Sequence, residues 1–220
     1  MKRIKLKDRK LPTYTRGEEI MNMVTHIVGG AMGLVALVLC LIRAKTTVGV
    51  VCALVYGLSM TCLYAMSSIY HGLRPSMGKR VMQVLDHCTI YFLIAGTYTP
   101  IAVLALAPAY PVIGWGVLIF QWGLTALAVT LTAIDLRKYT VFSMICYIGM
   151  GWAVIFFLPQ TLQVLGKAGF AWLLSGGIAY TLGSVLYGIG SKKPWFHSVF
   201  HIFVLLGSLL QMVSILFYVF

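Results

Sequence analysis

The sequence predicts an all-α integral membrane protein, a seven-transmembrane-helix bundle with its N-terminus in the cytoplasm and its C-terminus outside. Composition, the length of the apolar runs and the placement of basic residues predict it together. The 220 residues are 60% hydrophobic and 10% charged, where soluble domains average about 45–50% and about 25%. Mean hydropathy is +0.92. A membrane helix takes about 20 residues, so seven of them with short connections fill the chain. Any chemistry then has to sit inside the bundle. The apolar runs exceed strand length and lack the alternation of a membrane barrel.

Two regions follow, a basic cytoplasmic arm over residues 1–19 and a transmembrane domain over 20–220. Six Lys/Arg fall in the first ten residues, with Arg16 beyond. The apolar run after them is too long for the core of a signal peptide, so it is expected to stay as the first span. The formal net charge of +12 fits basic loops at the cytoplasmic face and contact between the arm and anionic inner-leaflet lipid, with no nucleic-acid partner. The plasma (inner) membrane is the expected location.

The spans are expected at about 20–42, 47–71, 82–105, 110–133, 139–158, 168–190 and 195–219. Pro111 and Pro194 stand where a first helical turn tolerates a missing N–H. Pro100 lies inside the third span and should kink it. Gly29 and Gly33, four apart, should let two helices approach closely. Cys40, Cys52, Cys62, Cys88 and Cys146 lie in apolar runs without a CxxC pair and read as small buried thiols. With the N-terminus inside, the inner segments hold fourteen Lys/Arg, including Lys79, Lys192 and Lys193. The outer segments hold three, Arg43, Lys45 and Lys167. That asymmetry sets the orientation.

Several ionisable residues fall within the spans, where each costs roughly 2.5–3.5 kcal/mol near a helix centre. His71 ends span two, Asp86 and His87 open span three, His197 and His201 open span seven, and His26 sits early in span one. The topology puts all of them in one leaflet. His197 and His201, at i and i+4, share a helix face as two ligands of one metal require. His71 can supply a third imidazole, and three histidines with one open position make a catalytic-type Zn2+ site. Ser67 shares a face with His71, and Asp86 could orient or deprotonate a water there. The rival reading is histidines snorkelling at the headgroup boundary, which is preferred for His87. Glu19, Asn22 and His26 form a stripe facing the interior, with a supporting or packing role. Tyr70, Tyr91 and Tyr98 are expected to be interface or packing aromatics.

Ser67-x-x-x-His71, Leu85-Asp86-His87-Cys88 running to Ala95-Gly96-Thr97-Tyr98-Thr99-Pro100, and His197-x-x-x-His201 resemble the haemolysin III family, which belongs with the progestin and adipoQ receptors and, more distantly, the alkaline ceramidases. Glu18-Glu19, Asn22 and Thr25-His26 fit its opening, and the resemblance spans roughly residues 18–220. It implies seven helices with zinc near the cytoplasmic side, held by His71, His197 and His201, with Asp86 and Ser67 nearby.

The expected function is a zinc-dependent hydrolase of a lipid amide or ester, a ceramidase-like amidase, whose acyl-chain substrate enters from the membrane. Two alternatives remain. One is a receptor-like regulator of membrane lipid homeostasis with a structural zinc. The other is a pore-forming cytolysin, disfavoured because so apolar a bundle makes a poor water channel.

Overall fold

The structure, a computed structural model, describes residues 4–190 and 193–220. Lys2, Arg3 and Lys192, counted above among the inner basic charges, lie outside the described residues. The described residues form helices joined by short connections. After a single 3-10 turn at Leu6–Asp8 come α1 (Arg16–Arg43), α2 (Thr47–Gly72), α3 (Met77–Pro100), α4 (Pro111–Ile134), α5 (Thr140–Gly151), α6 (Leu158–Gly190) and α7 (Phe196–Tyr218).

The first helix begins at Arg16, inside the basic arm, because Thr15 and Glu18 form a reciprocal cap. The Thr15 hydroxyl accepts from Glu18 N at 3.3 Å, and the Glu18 carboxylate accepts from Thr15 N at 2.8 Å. This satisfies two N–H groups at the helix start. Helix α4 starts at Pro111, as its sequence suggests. Pro194 does not open a helix: it lies outside α7, whose N-cap is Trp195 at φ 68°. That left-handed conformation is unfavourable for a bulky residue. It is pinned by Trp195 N donating to Glu18 at 2.6 Å, which ties the start of α7 to the start of α1.

Beyond Pro100 the third span passes into a π-helical segment, Ile101–Leu106, and a last turn, Ala107–Ala109. A proline cannot donate the hydrogen bond that would keep the α-helix in register, and the wider turn absorbs the disruption. A second irregularity faces it. Trp152–Phe157 tighten to 3-10 geometry, and there Tyr98 accepts from Val154 N at 3.0 Å and donates to Gly151 O at 2.8 Å.

Among the described residues, six stretches are long and apolar enough to cross a membrane. One of them, Thr140–Ile189, has 50 residues. As a straight helix it would measure about 75 Å, against about 30 Å of bilayer core. It is not straight: Gly166 has φ 66° and ψ 170°, a conformation open essentially to glycine alone. The loop expected between 158 and 168 is therefore helical on both sides of one glycine. The chain leaves one end of the bundle at Thr140 and turns at Gly166. There Gly169 packs on Tyr218, at the C-terminal end of α7. The chain then returns to place Tyr187 beside His197.

Close packing follows the small residues. A Cβ at Gly29 would lie 2.3 Å from the Tyr64 ring, and one at Gly33 2.8 Å from Thr61 N. Only glycine permits α1 and α2 to come so near. The outward surface is strongly apolar, with Phe156 90%, Val112 87% and Ile42 74% exposed. So much exposed apolar surface suits a lipid solvent and not water. The protein is a multi-pass membrane protein.

Candidate functional site

Four chain segments gather at one end of the bundle. The start of α3 meets α1 and the α2–α3 connection, where Lys79 Nζ donates to Glu19 and to Leu73 O. The arm meets α3 and the α4–α5 connection, where Arg80 Nε donates to Arg9 O at 2.9 Å and Ile4 N to Asp135 at 3.1 Å. The start of α7 meets α1 through Trp195 and Glu18. These are the segments that carry most of the Lys and Arg.

At this end the structure brings His71, His197 and His201 together, with ligand atoms all within 4.8 Å of one another. His197 Nε2 is 3.0 Å from His201 Nε2 and 3.4 Å from His71 Nε2. Two ligands of a tetrahedral zinc with bonds of about 2.0–2.1 Å would stand about 3.3 Å apart, so the spacing fits.

The opposite ring nitrogens set the tautomers. His71 Nδ1 lies 2.7 Å from Glu19 Oε2. A carboxylate can only accept, so Nδ1 carries the proton and Nε2 presents a lone pair. His201 Nδ1 donates to Asn22 O at 3.3 Å, with the same result. His197 Nδ1 is buried without a partner among the described residues. The lone pairs on His71 and His201 then face His197 Nε2, where either a shared proton or a metal ion satisfies them. The donor set fits a metal, with His71 and His201 oriented as metal-ligating histidines are by an acceptor behind the ring.

The surroundings hold the rings in place. His26 stacks on His201 with ring centroids 3.7 Å apart and planes 9° apart. Tyr14, from the arm, stacks on His197 at 4.9 Å. His71 and His201 are each 2% exposed. The Glu19, Asn22 and His26 stripe does face the interior, and each member touches the cluster. Lys79 counts as a loop charge in the sequence, yet it is 2% exposed, bonded to Glu19 and Leu73 O and lying over the Tyr70 ring. Tyr14 carried no sequence signal at all. Burial, reinforced by neighbouring tyrosines and acids, pushes its phenol well above the ordinary value, so it is a neutral stacking ring.

Asp86 is not among the converging ligand atoms, and Ser67 lies beside it. They lie on the wall of a cavity of about 640 Å³ that His197 and His201 also line. Ser67 is 1% exposed and close enough to Asp86 to favour its charge, but its hydroxyl makes no hydrogen bond of ordinary geometry among the described residues. The Asp86 side chain is 14% exposed, with His87 Nδ1 3.9 Å away. His87 donates instead to Gln83 O at 2.8 Å and stands apart from the other imidazoles. Tyr70, Tyr91 and Tyr98 are buried packing residues, not interface anchors. Cys40, Cys52, Cys88 and Cys146 are buried free thiols, but Cys62 is exposed.

Residues 14–212 match the family described as Haemolysin-III related. The chain is 36% identical over 205 residues to Hemolysin-3 of Bacillus cereus, covering 92% of each chain. It is 34% identical over 208 residues to the Hemolysin-3 homolog of Bacillus subtilis (strain 168), covering 93% of this chain and 96% of that one. It is 26% identical over 160 residues to the human Monocyte to macrophage differentiation factor, covering 69% of this chain and 63% of that protein. A match over nearly the whole length, at this identity, makes the chain a member of the haemolysin III-related family.

Proposed function

We propose that this protein is a zinc-dependent hydrolase of a lipid amide or ester, working in the cytoplasmic leaflet of the plasma membrane. The observation that carries the reading is the convergence of three imidazole Nε2 atoms beside a largely apolar cavity that also presents Asp86 and Ser67. Bound at His71, His197 and His201, zinc would supply a Lewis acid that polarises a carbonyl and acidifies water. Asp86 takes the proton of the attacking water as general base and returns it to the departing nitrogen or oxygen as the acyl bond breaks, or orients that water. The unsatisfied Ser67 hydroxyl donates to the oxygen that gains charge. Glu19 and Asn22 keep the histidine tautomers correct. The apolar wall takes the acyl chain.

The orientation belongs to the same proposal. The break at Gly166 divides Thr140–Ile189 into two crossings, which gives seven spans. The basic segments at the histidine end face the cytoplasm. Exposed Lys5, Lys7 and Lys10 on the arm then meet anionic lipid.

One observation favours a second reading. The cluster joins α1, α2 and α7, the first, second and last helices, as a structural brace would, and a receptor-like regulator would need no more. The names of the Bacillus relatives point to a third activity, haemolysis.

Metal analysis of purified protein, followed by fatty-acid release from ceramide and ester lipids with and without chelator, tests the proposal. About one zinc per chain with chelator-sensitive turnover is expected. Full zinc with no turnover across several lipids would replace the hydrolase by the regulator.

A further inference from the structure

The basic arm is strapped across one end of the bundle. Ile4 N donates to Asp135, in the α4–α5 connection, at 3.1 Å. Arg80 Nε, on α3, donates to Arg9 O at 2.9 Å. Tyr14 stacks on His197, on α7, at 4.9 Å, and Thr15 then caps α1. Between Ile4 and Thr15 the chain therefore crosses from the α4–α5 connection, past α3, to α7 and α1.

The strap has two faces. Ile4, Asp8, Arg9, Lys10 and Pro12 lie on the wall of the cavity that Ser67, Asp86, His197 and His201 also line. Lys5 and Lys7 are exposed and lie off that wall. An apolar molecule can reach such a cavity from the lipid, between helices. A charged solute is costly in the hydrocarbon core, so it must come from the aqueous end, past the strap.

The strap is fastened weakly at its one buried cation. Arg9 and Asp135 feel each other's charge, yet Arg9 Nη1 is buried without a hydrogen bond among the described residues. The Asp135 carboxylate is occupied by Ile4 N, Arg137 N and Lys138 N at 3.1, 3.2 and 3.1 Å. A guanidinium with an idle donor loses less on leaving than a fully bonded one. Lipid phosphates would give it paired acceptors.

We propose that residues 4–14 gate the aqueous mouth of the cavity, and that an anionic lipid surface opens the gate by drawing Arg9 away from Asp135 onto lipid phosphates. This rests on the reading that the histidine end lies in the cytoplasmic leaflet, and on neither zinc nor hydrolysis. A ligand shifts a two-state equilibrium only through contacts that differ between the states. Lys5 and Lys7 are free to meet lipid in both states, whereas Arg9 is released only in the open one. The closed strap keeps polar solutes from the cavity, and the open one lets them pass.

The test times the reaction of a cavity thiol with a charged methanethiosulfonate, which does not cross lipid. Ser143 is buried, early in α5 and on the cavity wall. Ser143→Cys is made with Cys62→Ser, which removes the exposed thiol. The full-length protein is held in nanodiscs of phosphatidylcholine, alone or mixed with phosphatidylserine. With the native arm, phosphatidylserine should speed labelling about fivefold, the scale of one basic residue meeting an anionic surface. Arg9→Gln should lose that acceleration, and Asp135→Ala should label fast in both lipids. Cys88, buried and off the cavity wall, should stay unreactive throughout. Labelling as fast with the native arm as in Asp135→Ala would overturn the gate. Equal rates in the two lipids would overturn its opening by anionic lipid. Reaction of Cys88 alongside would replace the gate by loosening of the whole bundle. Both leaflets of the nanodisc carry the same lipids, so these rates do not depend on orientation, which a reporter fusion at Lys79 decides separately.

Discussion

His197 and His201 are legible as a pair because one helical turn separates them, and they remain on one face whatever the bundle does. Their partner behind the ring is not legible, since Glu19 is 52 residues from His71. Substituting His197 or His201 by Ala should remove most of the bound zinc, because two imidazoles cannot complete the tetrahedron. His87→Ala should leave zinc content unchanged, and metal analysis of the three variants decides. Glu19→Gln keeps the shape but loses the carboxylate that holds His71 Nδ1–H and Lys79 Nζ. Zinc affinity should fall about 10- to 100-fold, the usual cost of such an outer partner, read by competition with a chelator. Asp86→Asn should retain zinc and melting temperature while losing turnover by roughly 100-fold or more. Loss of zinc and stability together, with no hydrolysis to lose, would make Asp86 a brace for a structural metal.

At the scale of elements, the glycines that matter are those where another helix arrives. Gly33→Ala would put a Cβ 2.8 Å from Thr61 N. Backbone cannot swing aside, so α1 and α2 must separate, at about 1–3 kcal/mol for overpacking. A lower melting temperature is expected. Gly123→Ala, where nothing lies within 4 Å, should cause none. The arm is a further element whose attachment can be tested. Burial alone would raise the Asp135 carboxyl, but the N–H groups of Ile4, Lys138 and Arg137 and the nearby Arg9 charge bring it below the usual carboxylate value. A depressed folded value stabilises the attachment above the free value of about 3.9, and protonation releases it as pH falls through the folded value. Asp135→Ala mimics that release at neutral pH. Trypsin should then cut at Lys5, Lys7 and Lys10 faster than in wild type. Unchanged cleavage would mean that the arm is not held there.

For the whole molecule, the arm, the α2–α3 connection, the α4–α5 connection and the start of α7 meet at one end. Arg43 lies over Phe217 at the other. Reporter fusions at Lys79 should read cytoplasmic and at Lys167 external. A cytoplasmic signal at Lys167 would reject both seven crossings and the shared-leaflet placement of the histidines.

The sequence by itself determined the helical membrane class, the approximate spans, the close approach at Gly29 and Gly33, and which histidines could share a site. Each of these follows from local quantities: hydropathy over about 20 residues, a period of 3.6, and the sign of loop charges. Only the tertiary structure decided that Lys79 and Arg9 are buried, that Tyr14 stacks on His197, and that Glu19 and Asn22 set the tautomers. Only it separated Asp86 and Ser67 from the imidazole cluster and placed them on the cavity wall. A lysine in the first turn of a helix is solvated on average, and its burial depends on a carboxylate contributed by another helix. Such pairings arise from how the helices pack, and no local pattern in the chain encodes them.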